Sequence, residues 1–399
     1  ECRDERDESW KILKIIQDEP VHGDFGFNDL VILYRTNAQS RAVEDVLRRE
    51  GVPYEIIGGV KFYARKEVKD ILAYLRLIVN PSDGISFDRI VNFPSRGIGK
   101  TTLEKIHKLA NENDYTYLRV IGELDMLSIG AKQKKALHEF NQLIHKYRIC
   151  YKEEGASSIT KDLLADIDLQ NYYENQNTHE ALERWGNVQE LLNSITDFQD
   201  NRDQNGLCEF LEEVSLLTDI DRWNESEKAV TLMTIHSAKG LEFPVVMITG
   251  LEEGLFPLGP QSYEVEELEE ERRLFYVALT RAQEKVYLCY ANARRRFGGM
   301  PIPAVQSRFL HELPGKLVSN EGATDRKHPE KIYAAIDESS TSSSHEFSIG
   351  DHVEHKLFGK GKVIAIEGEG DTAKLTILFS GKVRKKLIAK YAKLIQLQT

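Results

Sequence analysis

Three uninterrupted apolar runs constrain this chain more than any other feature: "DLVILYR" at 29–35, "AVTLMTI" at 229–235 and "PVVMITG" at 244–250. A strand with one wet face alternates apolar and polar residues; a strand covered on both faces need not. The runs therefore predict buried strands. An amphipathic helix, "AVEDVLRREG", follows the first and ends at Gly51. Next come a strand, "PYEIIGG", and a helix, "KEVKDILAYLRLIVN", stopped by Pro81. After the third run, "EVEELEEERRLFYVALTRA" reads as a helix with Leu268, Leu274, Phe275, Val277 and Ala278 as its apolar stripe, and "KVYLCYA" as a strand. Such alternation predicts an α/β fold, a parallel sheet covered by helices.

The alternation is broken between 81 and 226. There helical periods dominate, as in "TTLEKIHKLANEN", "AKQKKALHEFNQLIHKYRICYKEE" and "HEALERWGNVQELLNSITDFQ". One α/β domain made of 1–80 and 227–315, with an all-helical domain inserted at 81–226, accounts for this order. Residues 316–346 are polar and serine-rich and predict a flexible linker. Residues 347–399 alternate short strands with glycine turns, enough for a small five-strand barrel. The chain opens inside a helical pattern (Trp10, Ile12, Leu13, Ile15, Ile16) and without Met, which reads as a fragment or a processed chain.

Composition narrows the class. With 399 residues, 41% hydrophobic and 29% charged, the chain has length for about two to four domains. No apolar run approaches the roughly 20 residues of a membrane span. No signal segment is present, and Cys2, Cys150, Cys208 and Cys289 are scattered; a cytoplasmic location is the expectation. The net charge of −11 removes a bulk attraction to nucleic acid, but phosphate contacts depend on local basic patches.

One stretch imitates a phosphate loop. In "PSRGIGKTTLEKI" (94–106), Gly99-Lys100-Thr101 has the right ending, but the first glycine of the pattern is Pro94. Proline has no N–H to offer a phosphate. Gly97, Ile98 and Gly99 therefore need another purpose. Polar groups collect where "VTLMTI" ends, at Thr234 and His236, followed by the turn "SAKGLEF". Ligands bind at the carboxyl ends of strands in open α/β sheets, although an ordinary loop with solvated Lys239 and Glu242 is an equal alternative. The helix after it carries acids early and Arg281 at its end, also the pattern of a dipole-matched surface helix.

These two stretches together resemble motifs V and VI of the superfamily-one DNA helicases of the UvrD/Rep/PcrA type. "LYRTNAQSR", "GGVKFYARKEVKDILAYLRLIVNP", "FPSRGIG" and "GDHVEHKLFGKGKV" match as well, so the resemblance covers nearly the whole chain in order. It implies a RecA-like second motor domain of the P-loop NTPase class, with an inserted helical accessory domain and an SH3/Tudor-like barrel. Arg281 matches the arginine that reaches the ATP γ-phosphate, a role suited to a permanently charged planar fork. Glu242 matches the carboxylate that accepts from the nucleotide ribose. Thr234 and His236 match groups facing single-stranded DNA, and Asn37 a residue on the DNA backbone. Phe297, in "RRRFGG", matches an aromatic on which a base stacks; simple core packing is its plain alternative.

"RGIG" resembles the turn of a helix–hairpin–helix, which implies that Gly97, Ile98 and Gly99 meet a DNA phosphate without reading sequence. "SIGAKQKKALHEF" (128–140) repeats the pattern, or is a plain helix start. Gly186 departs from the resemblance, since relatives usually have an acid there. The phosphate loop and the acids that hold Mg2+ are not found in this chain, so the resemblance implies that a first motor domain supplies them and that this chain alone does not hydrolyse ATP. The whole would be a 3′-to-5′ helicase acting on single-stranded DNA and its junctions with duplex in repair and replication. Its barrel would dock on RNA polymerase, through "KVRKK" (382–386) unless that is a solvated charge run. Two other expectations stand beside it: a helicase–nuclease subunit of the AddA/RecB kind, and a binding module with a vestigial motor half.

Overall fold

The computed structural model describes residues 1–22, 25–200, 206–223, 228–259, 265–319, 348, 350–355, 359–367, 374–379, 383–388 and 395–397. Strands β1 (Leu30–Tyr34), β2 (Tyr54–Ile57), β3 (Val230–Thr234), β4 (Phe243–Ile248) and β5 (Ala282–Leu288) form one sheet in the order β2-β3-β1-β4-β5. Every neighbouring pair is parallel. The α/β expectation holds.

The apolar runs are continuous because both faces of the sheet are dry. Leu30, Ile32 and Tyr34 join Leu232, Val245 and Met247 in one core, with Ile12, Leu13 and Ile16 of helix α1 (Glu5–His22) and Val43, Val46 and Leu47 of α2 (Ser40–Arg49). Val31 and Leu33 point the other way, with Met233, Val246 and Ile248. They meet Leu274, Phe275 and Ala278 of the helix Val265–Leu279 and Phe309 of the short helix Arg308–His311. Each such side chain, fully buried, contributes about 1.5–3 kcal/mol of transfer free energy.

The inserted helices are α3 (Lys66–Val79), α4 (Gly84–Ile90), α5 (Lys100–Asn113), α6 (Tyr117–Gly122), α7 (Ala131–Cys150), α8 (Ala156–Asp166), α9 (Leu169–Glu174), α10 (His179–Asp200) and α11 (Leu207–Trp223). The two helices already met after them are α12 (Val265–Leu279) and α13 (Arg308–His311). The core of the helical body runs from Phe62 to Leu217, so it begins before residue 81. Helix α3 lies inside it rather than on the sheet. Val68, Ile71, Leu72, Ala73, Tyr74, Leu75, Leu77 and Ile78 are all buried, a face wider than one stripe, while Lys66 and Lys69 stay exposed on the remaining side.

Between β5 and α13, strands β6 (Ala293–Arg294) and β7 (Ile302–Pro303) pair as a short ribbon. The last part is an antiparallel sheet of β8 (His352–His355), β9 (Gly359–Glu367), β10 (Lys374–Phe379), β11 (Val383–Ile388) and β12 (Ile395–Leu397), ordered β11-β10-β9-β8-β12. Val353, Val363, Leu375, Ile377 and Phe379 are its core. A Cβ on Gly361 would stand 2.7 Å from Ile377 and Phe379, so a glycine is needed there. Most of the expected linker, 320–346, lies outside the described residues, as do the side chains of the basic stretch 382–386. Among the described residues no helix is long and apolar enough to cross a membrane.

Candidate functional site

The parallel sheet has two ends, and the candidate residues divide between them. At the amino-terminal edge, Glu242 immediately precedes β4 and Arg281 immediately precedes β5. Phe243 is in register with Ala282, and its N–H donates to the Arg281 carbonyl at 2.9 Å. The two residues therefore share one edge of the sheet. Arg281 donates from Nε to the Val277 carbonyl (3.0 Å), from one terminal nitrogen to the Leu241 carbonyl (2.8 Å) and from the other to Thr280 Oγ1 (3.0 Å).

All three partners are neutral, and among the described residues no carboxylate pairs with this guanidinium. Its charge remains available to an anion. The contrast is with Arg35, Arg41, Arg294 and Arg308, each of which is matched to carboxylates. Among the described residues Glu242 is likewise unmatched by a cation; its Oε2 accepts a 3.4 Å bond from the Gln283 amide. A depression of about 350 Å³ opens beside it, lined by Asn28, Glu55, Thr231, Leu241 and Phe243 among others. Among the described residues no group of His, Cys, Asp and Glu could hold a metal ion.

The carboxyl-terminal edge gathers Asn37, Thr234 and His236. Tyr34 of β1 is in register with Thr234 of β3, so the loops leaving these strands are neighbours. Thr234 Oγ1 accepts from the Ser237 N–H (3.2 Å) and shares a 2.9 Å bond with Ser237 Oγ, which tightens the turn after β3. His236 is exposed, yet its imidazole is held below its ordinary pKa, first by partial burial and next by the nearby Arg35 guanidinium. It is neutral at pH 7. The segment 235–242 connects this edge to the opposite one. The β4 strand beside it has six residues, about 20 Å at roughly 3.3 Å per residue.

Phe297 lies half-buried in a left-handed backbone (φ 49°), uncommon for a bulky side chain. Its ring centroid is 5.6 Å from that of Trp185 on α10, and Lys161 Nζ of α8 is 6.0 Å from it. In the "RGIG" turn, Gly97 and Gly99 are exposed, and Gly97 has φ +74°, a conformation only glycine adopts without strain. Gly99 is the N-cap of α5. Ile98 differs from its neighbours. Its side chain is buried in the helical core and its N–H is given to Asn92 Oδ1 at 3.1 Å, so it anchors the turn and presents nothing outward. Gly130 caps α7 in the same way, and Lys105 of α5 reaches the Ser128 carbonyl at 2.6 Å, so this second turn lies within reach of α5.

The family model described as the UvrD-like helicase C-terminal domain matches residues 1–293. The chain belongs to that family. A second model, the PcrA/UvrD tudor domain, matches residues 349–394, the antiparallel sheet at the end of the chain. Among curated relatives of this UvrD-like chain, an ATP-dependent DNA helicase PcrA from Bacillus subtilis is 39% identical over 384 residues, covering 92% of this chain and 52% of that protein. One of the same description from Staphylococcus aureus is 37% identical over 406 residues, covering 98% of this chain and 55% of that protein. The chain thus spans about half the length of the curated relatives it matches.

Several residues that hold this UvrD-like site together were not singled out by sequence. Gln39 Oε1 accepts from the N–H groups of Arg35 (3.0 Å) and Thr36 (2.8 Å), shaping the loop that carries Asn37. Arg65 donates to the Asn37 carbonyl (2.9 Å), Asn187 Oδ1 (2.7 Å) and Ser40 Oγ (2.7 Å), locking that loop to α10. Arg35 and Glu271 form a buried two-pronged ion pair at 3.1 and 2.7 Å, which ties the end of β1 to α12. Arg65 falls within "GGVKFYAR" and Glu271 within "EEERRLFYVALTRA", so the signal was in the matched segments; the partners were not.

Proposed function

We propose that this chain is the C-terminal part of an ATP-dependent DNA helicase that moves 3′ to 5′ along single-stranded DNA and opens duplex at junctions in the cytoplasm. One observation carries the reading: Arg281 and Glu242 share one edge of the sheet with their charges unmatched, while Asn37, Thr234 and His236 gather at the other. ATP, with Mg2+, fits the first edge. Arg281 would swing from its carbonyl partners to phosphate oxygens, gaining charge-assisted bonds for neutral ones. Glu242 would accept from ribose hydroxyls. The second edge fits a DNA backbone, with Asn37 and Thr234 as neutral donors, His236 beside them and Phe297 as a stacking surface.

Two bodies of the fold connect the edges. The turn 235–242 runs from Thr234 to Glu242, and α12 carries Glu271, paired to Arg35 near the DNA edge, and Arg281 just beyond its end. Closing a nucleotide cleft on Arg281 would therefore displace groups near the DNA track. The Mg2+ ligands and the phosphate loop belong, in this reading, to a first motor domain. The helicase–nuclease alternative finds no support, since the families matched are the UvrD-like helicase C-terminal domain and the PcrA/UvrD tudor domain. That sheet would dock a protein partner, RNA polymerase in the proposal.

The experiment is ATP hydrolysis by this chain as it stands, with single-stranded DNA, beside the full-length protein. The account expects turnover from the full-length protein alone; robust turnover by this chain would overturn the division of labour.

A further inference from the structure

The DNA edge has a second bank. Helix α10 lies against the loop carrying Asn37 at several consecutive points. Glu183 Oε2 accepts from Asn37 Nδ2 at 3.4 Å. One turn later, Gly186 stands so close to the loop that a Cβ on it would be 3.8 Å from the Ala38 Cβ. Next, Asn187 shares Arg65 with the Asn37 carbonyl. Further contact comes from Trp185, whose ring meets Phe297 at 5.6 Å. Two residues read separately as DNA contacts, Asn37 and Phe297, thus rest on the same stretch of one helix.

Among these contacts Glu183 is out of place. An amide that is to hold a DNA backbone is occupied by a carboxylate, which has the same charge as the phosphate and, like it, only accepts hydrogen bonds. A phosphate on the other N–H of Asn37 would stand within one amide's width of that charge. The carboxylate stands between two neighbours: while Oε2 faces Asn37, its Oε1 is 3.9 Å from Nδ1 of His179, one turn back on the same helix. Its side chain is 29% exposed, so it is in part open to solvent and to an incoming phosphate.

We infer that the first turns of α10 form one wall of the single-stranded DNA track, and that Glu183 is its gate. In the DNA-free protein the carboxylate holds the Asn37 amide. DNA phosphate displaces it toward His179, and the repulsion between the two anions keeps the grip on DNA weak enough to be released. This rests on the assignment of Asn37 to the DNA edge.

The test is the affinity of the full-length protein for a fluorescently labelled oligothymidylate, by anisotropy, in wild type, Glu183→Gln, Asn37→Ala and the double variant. Glutamine keeps the shape and removes the charge. Glu183→Gln is expected to bind about fivefold more tightly at low salt, the size of one like-charge repulsion near solvent. That gain shrinks as salt is raised, and it is lost in the Asn37→Ala background. If Asn37→Ala weakens binding but Glu183→Gln changes nothing or weakens it, the gate is overturned while the DNA edge stands. If Asn37→Ala leaves affinity unchanged, the DNA edge fails and the gate with it.

Discussion

At the scale of single residues, charge matching separates structure from function. Arg41 is shared among Glu190, Asp197 and Asp45, and Arg294 between Glu8 and Glu252; these are fastened into the fold. Breaking such buried pairs leaves a lone charge and costs about 3–5 kcal/mol, which makes them poor candidates for ligand contacts. Arg281 and Glu242 escape this matching. His236 offers a test at the same scale. Its folded pKa lies below the unfolded value of 6.5, so the unfolded chain takes up the proton more readily. Its contribution is intact above pH 6.5 and is lost as pH falls from there through the lower folded pKa. Thermal midpoints measured downward from pH 7 should fall more steeply in wild type than in His236→Gln. Equal slopes would mean that the imidazole is not desolvated as described.

At the scale of elements, α10 is where sequence and structure meet least comfortably. A glycine inside a helix costs stability because it surrenders the most backbone freedom on folding. Gly186 stands in the interior of α10, and a Cβ there would meet only Ala38 at an ordinary 3.8 Å. Gly186→Ala should therefore raise stability by about 0.5–1 kcal/mol, read as a higher urea midpoint; a lower midpoint would mean that the loop carrying Asn37 needs the space. Why α3 escaped the sequence range is also an element-scale matter. Its apolar residues satisfy a helical period whether the helix covers a sheet or sits inside a bundle. Only the helices from α4 to α11, far along the chain, decide which. Similarly, "RGIG" was readable as a turn before a helix, but not that Ile98 points inward, because that depends on the core assembled around it.

At the scale of the whole molecule, the parallel sheet and its two edges were legible early. Strands buried on both faces leave continuous apolar runs, and the residues just outside such strands fall on one edge or the other by direction alone. What remained hidden were contacts between distant segments. Asn37 meets Glu183 across 146 positions and Arg35 meets Glu271 across 236, and no local period encodes such partners. These long connections support the central claim, that one polypeptide carries a phosphate-seeking edge and a DNA edge, linked by α12 and the turn before β4. The most direct test is single-stranded-DNA-stimulated ATP hydrolysis by the full-length protein bearing Arg281→Ala, with DNA affinity measured on the same sample. The account predicts that turnover falls about 10³-fold while affinity for the strand is retained. Turnover unchanged from wild type would contradict it.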